Sequence, residues 1–400
     1  MLRELPLIFI LIGLAAYAVL AGADFGAGIW ILLSRKDQAL RDHARHAMGP
    51  VWEANHVWLI FVFVVSWTAY PKAIASIAST LAVPLFLAAL GIILRGTAYA
   101  LRAQSEEGAV AARIERVFGL SSLLTPFALG AAAGGIASGH VPVGNSAGDL
   151  LTSWFNLTGI TIGVLSIATS WYLAAVYLAA DAERTGHSGL VHVFRTRALI
   201  TGVIAGTLAL AALIVVHGDD PRLWHGLTHG WGPVPLVASI LAGITTLVLL
   251  GSGRYQPARV AAAAAVAAVI AGWAVAQSPR LLPGLTIHQA AAGHSTLVAL
   301  VIAVAGGALV LTPSLALLFK LTLTGRFDPS RAEPAQRVTA VGRTTRPLAA
   351  RRAAAGALLL VGAVCTVLFD SWAQGFGVLS LLAFILVGFA PLATLPEDNR

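Results

Sequence analysis

Four ionisable side chains stand out because their surroundings are so apolar. Asp24 lies in LAGADFGAG, Glu53 and His56 in GPVWEANHVWLIF, and Arg95 in LGIILRGTAYALR. Two carboxylates, an imidazole and a guanidinium can neutralise one another, and such a cluster can also hold and pass protons. Glu53 and His56 are spaced i, i+3 and share a helix face. A charge within an apolar helix is costly, so it needs a partner or a task. Each member also has a plain structural reading. Arg95 can snorkel to an interface. Asp24 and Glu53 can be fixed ion-pair partners that lock helices together, and His56 can be a hydrogen-bonded packing residue. The four together say more than any one of them. No residue is assigned a catalytic role.

The elements that must position them are membrane helices. The 400-residue chain is 58% hydrophobic and 11% charged, with a mean hydropathy of +0.82; a soluble domain carries about 25% charged residues. A net charge of +8 would suggest nucleic acid in a soluble chain. Here the basic residues lie between apolar runs, as topology determinants beside anionic lipid do, and no nucleic-acid partner is expected. The lone Cys365 excludes an intrachain disulfide, a CxxC pair and a cysteine metal cluster. Arg and Ala usage is of the kind a GC-rich bacterial genome gives.

About 20 apolar residues cross a bilayer as a helix. Eleven runs qualify: 7–33, 50–70, 74–101, 118–138, 155–180, 198–217, 234–251, 258–277, 295–319, 354–369 and 376–395. The first is longer than the ~7–15-residue core of a signal peptide, and is read as a retained helix. With the N-terminus outside, the inside loops hold 20 Lys and Arg and the outside loops hold 3 (Lys72, Arg222 and Arg280). The chain thus reads as an all-α polytopic membrane protein of a bacterial cytoplasmic membrane. It divides into a transmembrane domain over 1–325, a basic cytoplasmic linker over 326–352, and a C-terminal helical hairpin and tail over 353–400. In this topology Asp24 lies roughly 13 Å from its helix exit, at 1.5 Å per residue. Glu53 lies a few residues into the second helix, behind Pro50 at a helix start. Arg95 is one or two turns from the end of the third. All four groups converge in the cytoplasmic half of the bilayer.

Gly22, Gly26 and Gly28 allow close helix approach; no strand precedes them, so a nucleotide-binding loop is a poor alternative. Trp52 and Trp58 flank the polar trio Glu53, Asn55 and His56, and interface anchoring suits Trp52. His225 and His229 could begin a metal site, but no third ligand lies nearby in sequence and no metal site is assigned. Pro84, Pro126 and Pro313 fall inside spans, where neighbours can resatisfy the freed carbonyls.

YAVLAGADFGAG, then GPVWEANHVWLI, then LRGTAYALR resemble, in order, three motifs of subunit II of cytochrome bd-type quinol oxidases: DGFDxGxG, GPxWDGNxxWL, and FR-G-x-x-(F/Y)-x-x-R. Gly22, Asp24, Gly26 and Gly28 match the first. Gly49, Pro50, Trp52, Asn55, Trp58 and Leu59 match the second. Arg95, Tyr99 and Arg102 match the third. Farther on, Asn156 with Gly159 resembles an LNPFG segment without its proline, and RTRA at 195–198 resembles a basic turn. Three positions depart: Ala21 occupies the first acidic position, Glu53 replaces aspartate, and His56 stands where Glu, Gln or Asp is expected. The hairpin over 353–395 has no matching counterpart.

The resemblance implies about nine core helices, as two four-helix bundles plus one, in a heterodimer with a similarly folded subunit I. Haem b and haem d are expected in subunit I and none in this chain, with quinol as the substrate of the complex. This subunit would support assembly, and its acidic residues would help protons travel from the cytoplasm. The matched Gly, Trp, Asn, Tyr and Arg positions, with Asn156, would serve packing or the subunit interface. Membrane lipid and the quinone pool are further partners, and small accessory subunits are left open. Two other readings stand beside this one: a proton-coupled transporter using the same charges, and a scaffold whose buried charges are purely structural.

Overall fold

The computed structural model describes residues 1–34, 37–103 and 108–323, and short helical pieces at 354–362, 364–365, 376–377, 379–380 and 383–384; the side chains of 48–54, 103, 315 and 318–323 are outside the description. The chain divides into two compact units, Met1–Phe319 and Lys320–Arg400. The second contains the short helical pieces, while the linker expected over 326–352, and most of the expected hairpin, lie outside the described residues.

Twelve α-helices and one small hairpin make up the described chain through residue 323. They are α1 (Leu5–Leu33), α2 (Gln38–Ala69), α3 (Pro71–Thr80), α4 (Ala82–Ala103), α5 (Ala109–Ala137), α6 (Leu157–Arg184), α7 (Ser188–Asp219) and α8 (Pro221–Thr228). Then come α9 (Pro233–Gly251), α10 (Tyr255–Gln277), strands β1 (Arg280–Leu282) and β2 (Leu285–Thr286), α11 (Ile287–Ala290) and α12 (His294–Leu323). Eight helices are long and apolar enough to cross a membrane, and the Asn55–Ala69 part of α2 is a shorter apolar ninth. α1, α2, α4 and α5 pack as one group and α6, α7, α9 and α10 as another, joined where α6 meets α1 and α5. α12 adds Leu297 and Leu300 to the core around Val65, Tyr70 and Leu81. The described fold is therefore an all-α membrane protein.

The join between the groups is built from small residues. On α6, Leu173, Ala174, Ala175, Val176, Leu178, Ala179 and Ala180 are fully buried. A Cβ on Gly26 would run into the Ser170 backbone carbonyl and lie 2.6 Å from Ala174 Cβ. Without lipid-excluding hydrophobic drive, such close approach and the dispersion it brings are what hold membrane helices together. Asn156 starts α6 as its N-cap: its Oδ1 accepts from Gly159 N at 2.8 Å. Gly159 is also where α5 passes close, since a Cβ on Gly134 would lie 2.6 Å from Gly159 Cα.

Several boundaries differ from the sequence reading. α2 begins at Gln38, capped by Asp37 Oδ1 accepting from Leu40 N at 3.0 Å, so Pro50 lies inside the helix and not at its start. Hydropathy registers only the lipid-facing part of such a helix, and its polar first turns pass for a loop. The run 74–101 is two helices, α3 and α4. Pro84 has no N–H to offer the Thr80 carbonyl, where α3 ends. RTRA is within α7 and is not a turn.

Candidate functional site

Antiparallel packing of α1 on α2 sets the register. A Cβ on Gly13 would meet Phe61 and Val62, and Asn55 Nδ2 donates to Leu20 O at 3.4 Å. The α2 backbone at residue 53 is thereby level with residues just before Asp24 on α1. The side chains of Glu53 and Trp52 lie outside the described residues. His56 is half-buried on α2.

Asp24 and Arg95 meet at the centre of the first helix group. Their side chains are 4% and 1% exposed, and Arg95 Nη2 donates to Asp24 Oδ1 at 2.7 Å. The same nitrogen donates to the Asp24 carbonyl at 2.8 Å. Nη1 donates to Ser122 Oγ on α5, which donates onward to Phe118 O at 2.6 Å. The guanidinium also lies over the rings of Phe118, 4.1 Å from its centroid, and Phe25, at 5.2 Å. One cation thus ties α1, α4 and α5. In hydrocarbon surroundings this neutralises both charges, and the aromatic faces add cation–π attraction. Gly28 makes room for it: a Cβ there would meet Ser122 and sit 2.6 Å from Arg95 Nη1. Gly22 sits against Leu173, 3.2 Å from a Cβ position.

A second ionic group lies one heptad farther along the same two helices. Arg102 on α4 follows Arg95 by seven residues, and Glu115 on α5 precedes Ser122 by seven. Arg102 Nε reaches Glu115 Oε1 at 3.0 Å, and Arg41 Nη1 on α2 reaches Oε2 at 2.8 Å. Arg45 pairs with the same carboxylate and with Asp42 at 2.8 Å. Arg102 is therefore a tie between helices within this chain. Arg41, Arg45 and Glu115 lie outside the apolar runs 7–33, 50–70, 74–101 and 118–138, and the signal for them is the charged pattern of a helix extending past the apolar run.

Trp58 packs with Phe61, ring centroids 6.3 Å apart, beside the buried pair Tyr17 and Phe25. Tyr99 is 40% exposed on α4. His225 and His229 stack at 3.9 Å at the end of α8. Among the described residues no group of three or more His, Cys, Asp or Glu could hold a metal ion.

A sequence profile described as cytochrome bd terminal oxidase subunit II matches residues 2–322. A Bacillus subtilis protein assigned as a cytochrome bd menaquinol oxidase subunit II is 23% identical over 247 residues, 60% of this chain and 68% of its own. The cytochrome bd-I ubiquinol oxidase subunit 2 of Escherichia coli K12 is 25% identical over 215 residues, 52% of this chain and 55% of its own. The chain thus spans only about half the length of that relative. A chain from the structure of bd oxidase from Geobacillus thermodenitrificans superposes with a TM-score of 0.64 at 25% identity, over 81% of this chain and 99% of that one. With eight membrane-length helices and a shorter apolar ninth among the described residues, and a family profile that covers residues 2–322, the chain belongs to the cytochrome bd terminal oxidase subunit II family.

Proposed function

We propose that this chain is the haem-free subunit II of a quinol-oxidising, oxygen-reducing terminal oxidase. In that role it braces a haem-bearing subunit I and supplies protons from the cytoplasmic side. The observation that carries the reading is the buried Asp24–Arg95 pair within a family-matching chain. Arg95 fixes the Asp24 carboxylate by two bonds to the same residue, one to its side chain and one to its carbonyl. Asp24 keeps a second carboxylate oxygen with which a proton can be exchanged. Glu53 and His56, at a neighbouring level on α2, are proposed as the proton's other stations. The N-terminus outside places this level in the cytoplasmic half, and the asymmetry of Lys and Arg supports that orientation. Haem b and haem d belong to subunit I in this proposal and supply the oxygen chemistry there.

The test is Asp24→Asn and Glu53→Gln in a complex purified with its partner. Slower quinol-driven oxygen consumption at full haem content supports proton supply. Normal turnover at full haem content rejects it, and loss of haem content assigns the charges to scaffolding. Solute movement by this chain alone in liposomes would instead establish the transporter.

A further inference from the structure

Three buried polar atoms around the Asp24–Arg95 pair have no hydrogen-bond partner among the described residues: Tyr17 Oη on α1, Asn55 Oδ1 on α2 and Arg95 Nε on α4. Tyr17 is 5% exposed and Asn55 1%. Buried polar groups are almost always paired, with protein or with ordered water, and in hydrocarbon surroundings the need is stronger. Their placement is not scattered. Tyr17, Leu20 and Asp24 follow one another at i, i+3 and i+7, along one face of α1. Asn55 is fastened to that face by its amide nitrogen, which donates to Leu20 O, midway between Tyr17 and Asp24. Its carbonyl oxygen is left over. Phe25 links the ends, with the Tyr17 ring 6.5 Å from it edge-on and the Arg95 guanidinium 5.2 Å from its centroid.

We propose that Tyr17 and Asn55 form a buried water-binding site between α1 and α2, continuing the polar path beyond Asp24. The chemistry of the two atoms is complementary to water. The phenol can donate to a water and the amide oxygen can accept from it, so a water joins two groups that have nothing else to bind. A buried water typically makes about three such bonds, and the phenol oxygen, as an acceptor too, can serve a second water on the Asp24 side. A residue with a hydroxyl beside a buried carboxylate can also relay a proton by rotating, which an apolar residue cannot. The water site stands on the orphaned atoms; its role in passing protons rests on the proton-supply reading.

The experiment is a density map of the intact complex at a resolution that shows ordered water, for the natural protein and for Tyr17→Phe, with turnover and haem content measured alongside Asp24→Asn. Water density within hydrogen-bond distance of Tyr17 Oη and Asn55 Oδ1, lost in Tyr17→Phe, is expected. Turnover should fall about tenfold at full haem content when one such bond is removed from a proton path. A side chain of either subunit bonded to both atoms, or dry packing around them, would overturn the site. Water present but Tyr17→Phe fully active while Asp24→Asn is slow would overturn the relay role and leave proton supply at Asp24 intact. If Asp24→Asn is also fully active, proton supply itself fails, and the map still decides the water site. Should Tyr17→Phe not assemble, the map of the natural protein decides it.

Discussion

Asp24→Asn isolates the charge of the buried pair from its shape. Asparagine keeps an oxygen facing Arg95 Nη2, and the bond from that nitrogen to the residue 24 carbonyl is untouched. What disappears is the carboxylate that, among the described residues, is bonded to a cation 1% exposed. A buried ion stripped of its partner costs about 3–5 kcal/mol. The Ser122 hydroxyl and the two aromatic faces remain, and cation–π contacts are worth roughly 1–2 kcal/mol when desolvated. The net loss should therefore be about 2–3 kcal/mol. Arg95→Leu strands the carboxylate instead, which can take up a proton, and should cost less. The double variant removes both charges of the pair and should be more stable than the sum of the two single losses, by about 2 kcal/mol. The assay is retention of haem absorbance during heating of the purified complex, for all four proteins. Strict additivity would refute the charge coupling. So would a stable Asp24→Asn protein, because the guanidinium would then have found water or another anion.

Other outcomes follow from the same geometry. Gly26→Val should abolish assembly, because its branched side chain would have to pass through the Ser170 carbonyl; absence of the complex from membranes is the readout. Gly28→Ala should assemble but displace Ser122 and the guanidinium, seen as slowed turnover that Ser122→Gly partly restores. Asn156→Ala removes the α6 cap and should lower stability by about 1 kcal/mol, read from thermal inactivation. Asp149, in the loop between α5 and α6, accepts from the Leu151 and Thr152 amides, and these bonds hold its carboxyl below its ordinary value of 3.8. A depressed folded-state value means the stabilisation is complete at neutral pH and is lost as pH falls below that ordinary value. The protection of those two amides against hydrogen exchange, taken relative to the unstructured rate at the same pH, should fall in acid, and Asp149→Asn should remove most of that dependence.

The helices were legible because hydrocarbon thickness leaves a plain mark on sequence: of the nine runs over 7–319, eight contain a membrane-length apolar helix among the described residues and the run 50–70 a shorter one. Asp24 and Arg95 were conspicuous for the related reason that charges are rare in such runs. Their immediate surroundings were not. Ser122, Phe118 and Phe25 are ordinary residues in apolar sequence, and only packing reveals that they enclose a guanidinium. Glu115 was hidden for the opposite reason: charge at the end of a hydrophobic run reads as loop, whereas α2, α4 and α5 all carry charged helical turns at this end. The α3–α4 break was equally hard to see, since no charged residue separates the two helices between Lys72 and Arg95.

At the other end of the bundle, the start of the chain is fastened to residues nearly 300 positions away. Tyr70 Oη donates to Arg3 O at 2.7 Å, Arg3 Nη1 donates to His288 O at 3.4 Å, and Glu4 faces His288 Nε2 at 3.3 Å. Ala292 N donates to Ala69 O at 2.8 Å. During synthesis the first helix is made and inserted long before its last partner exists. The bonds from Arg3 and Glu4 to His288, and from Ala292 to Ala69, therefore wait until residues 288–292 have been delivered, so completion of this end is timed by the segment that follows α10. A chain that stops after α10 would present an unclasped first helix, a natural mark by which quality control could tell an unfinished subunit from a finished one.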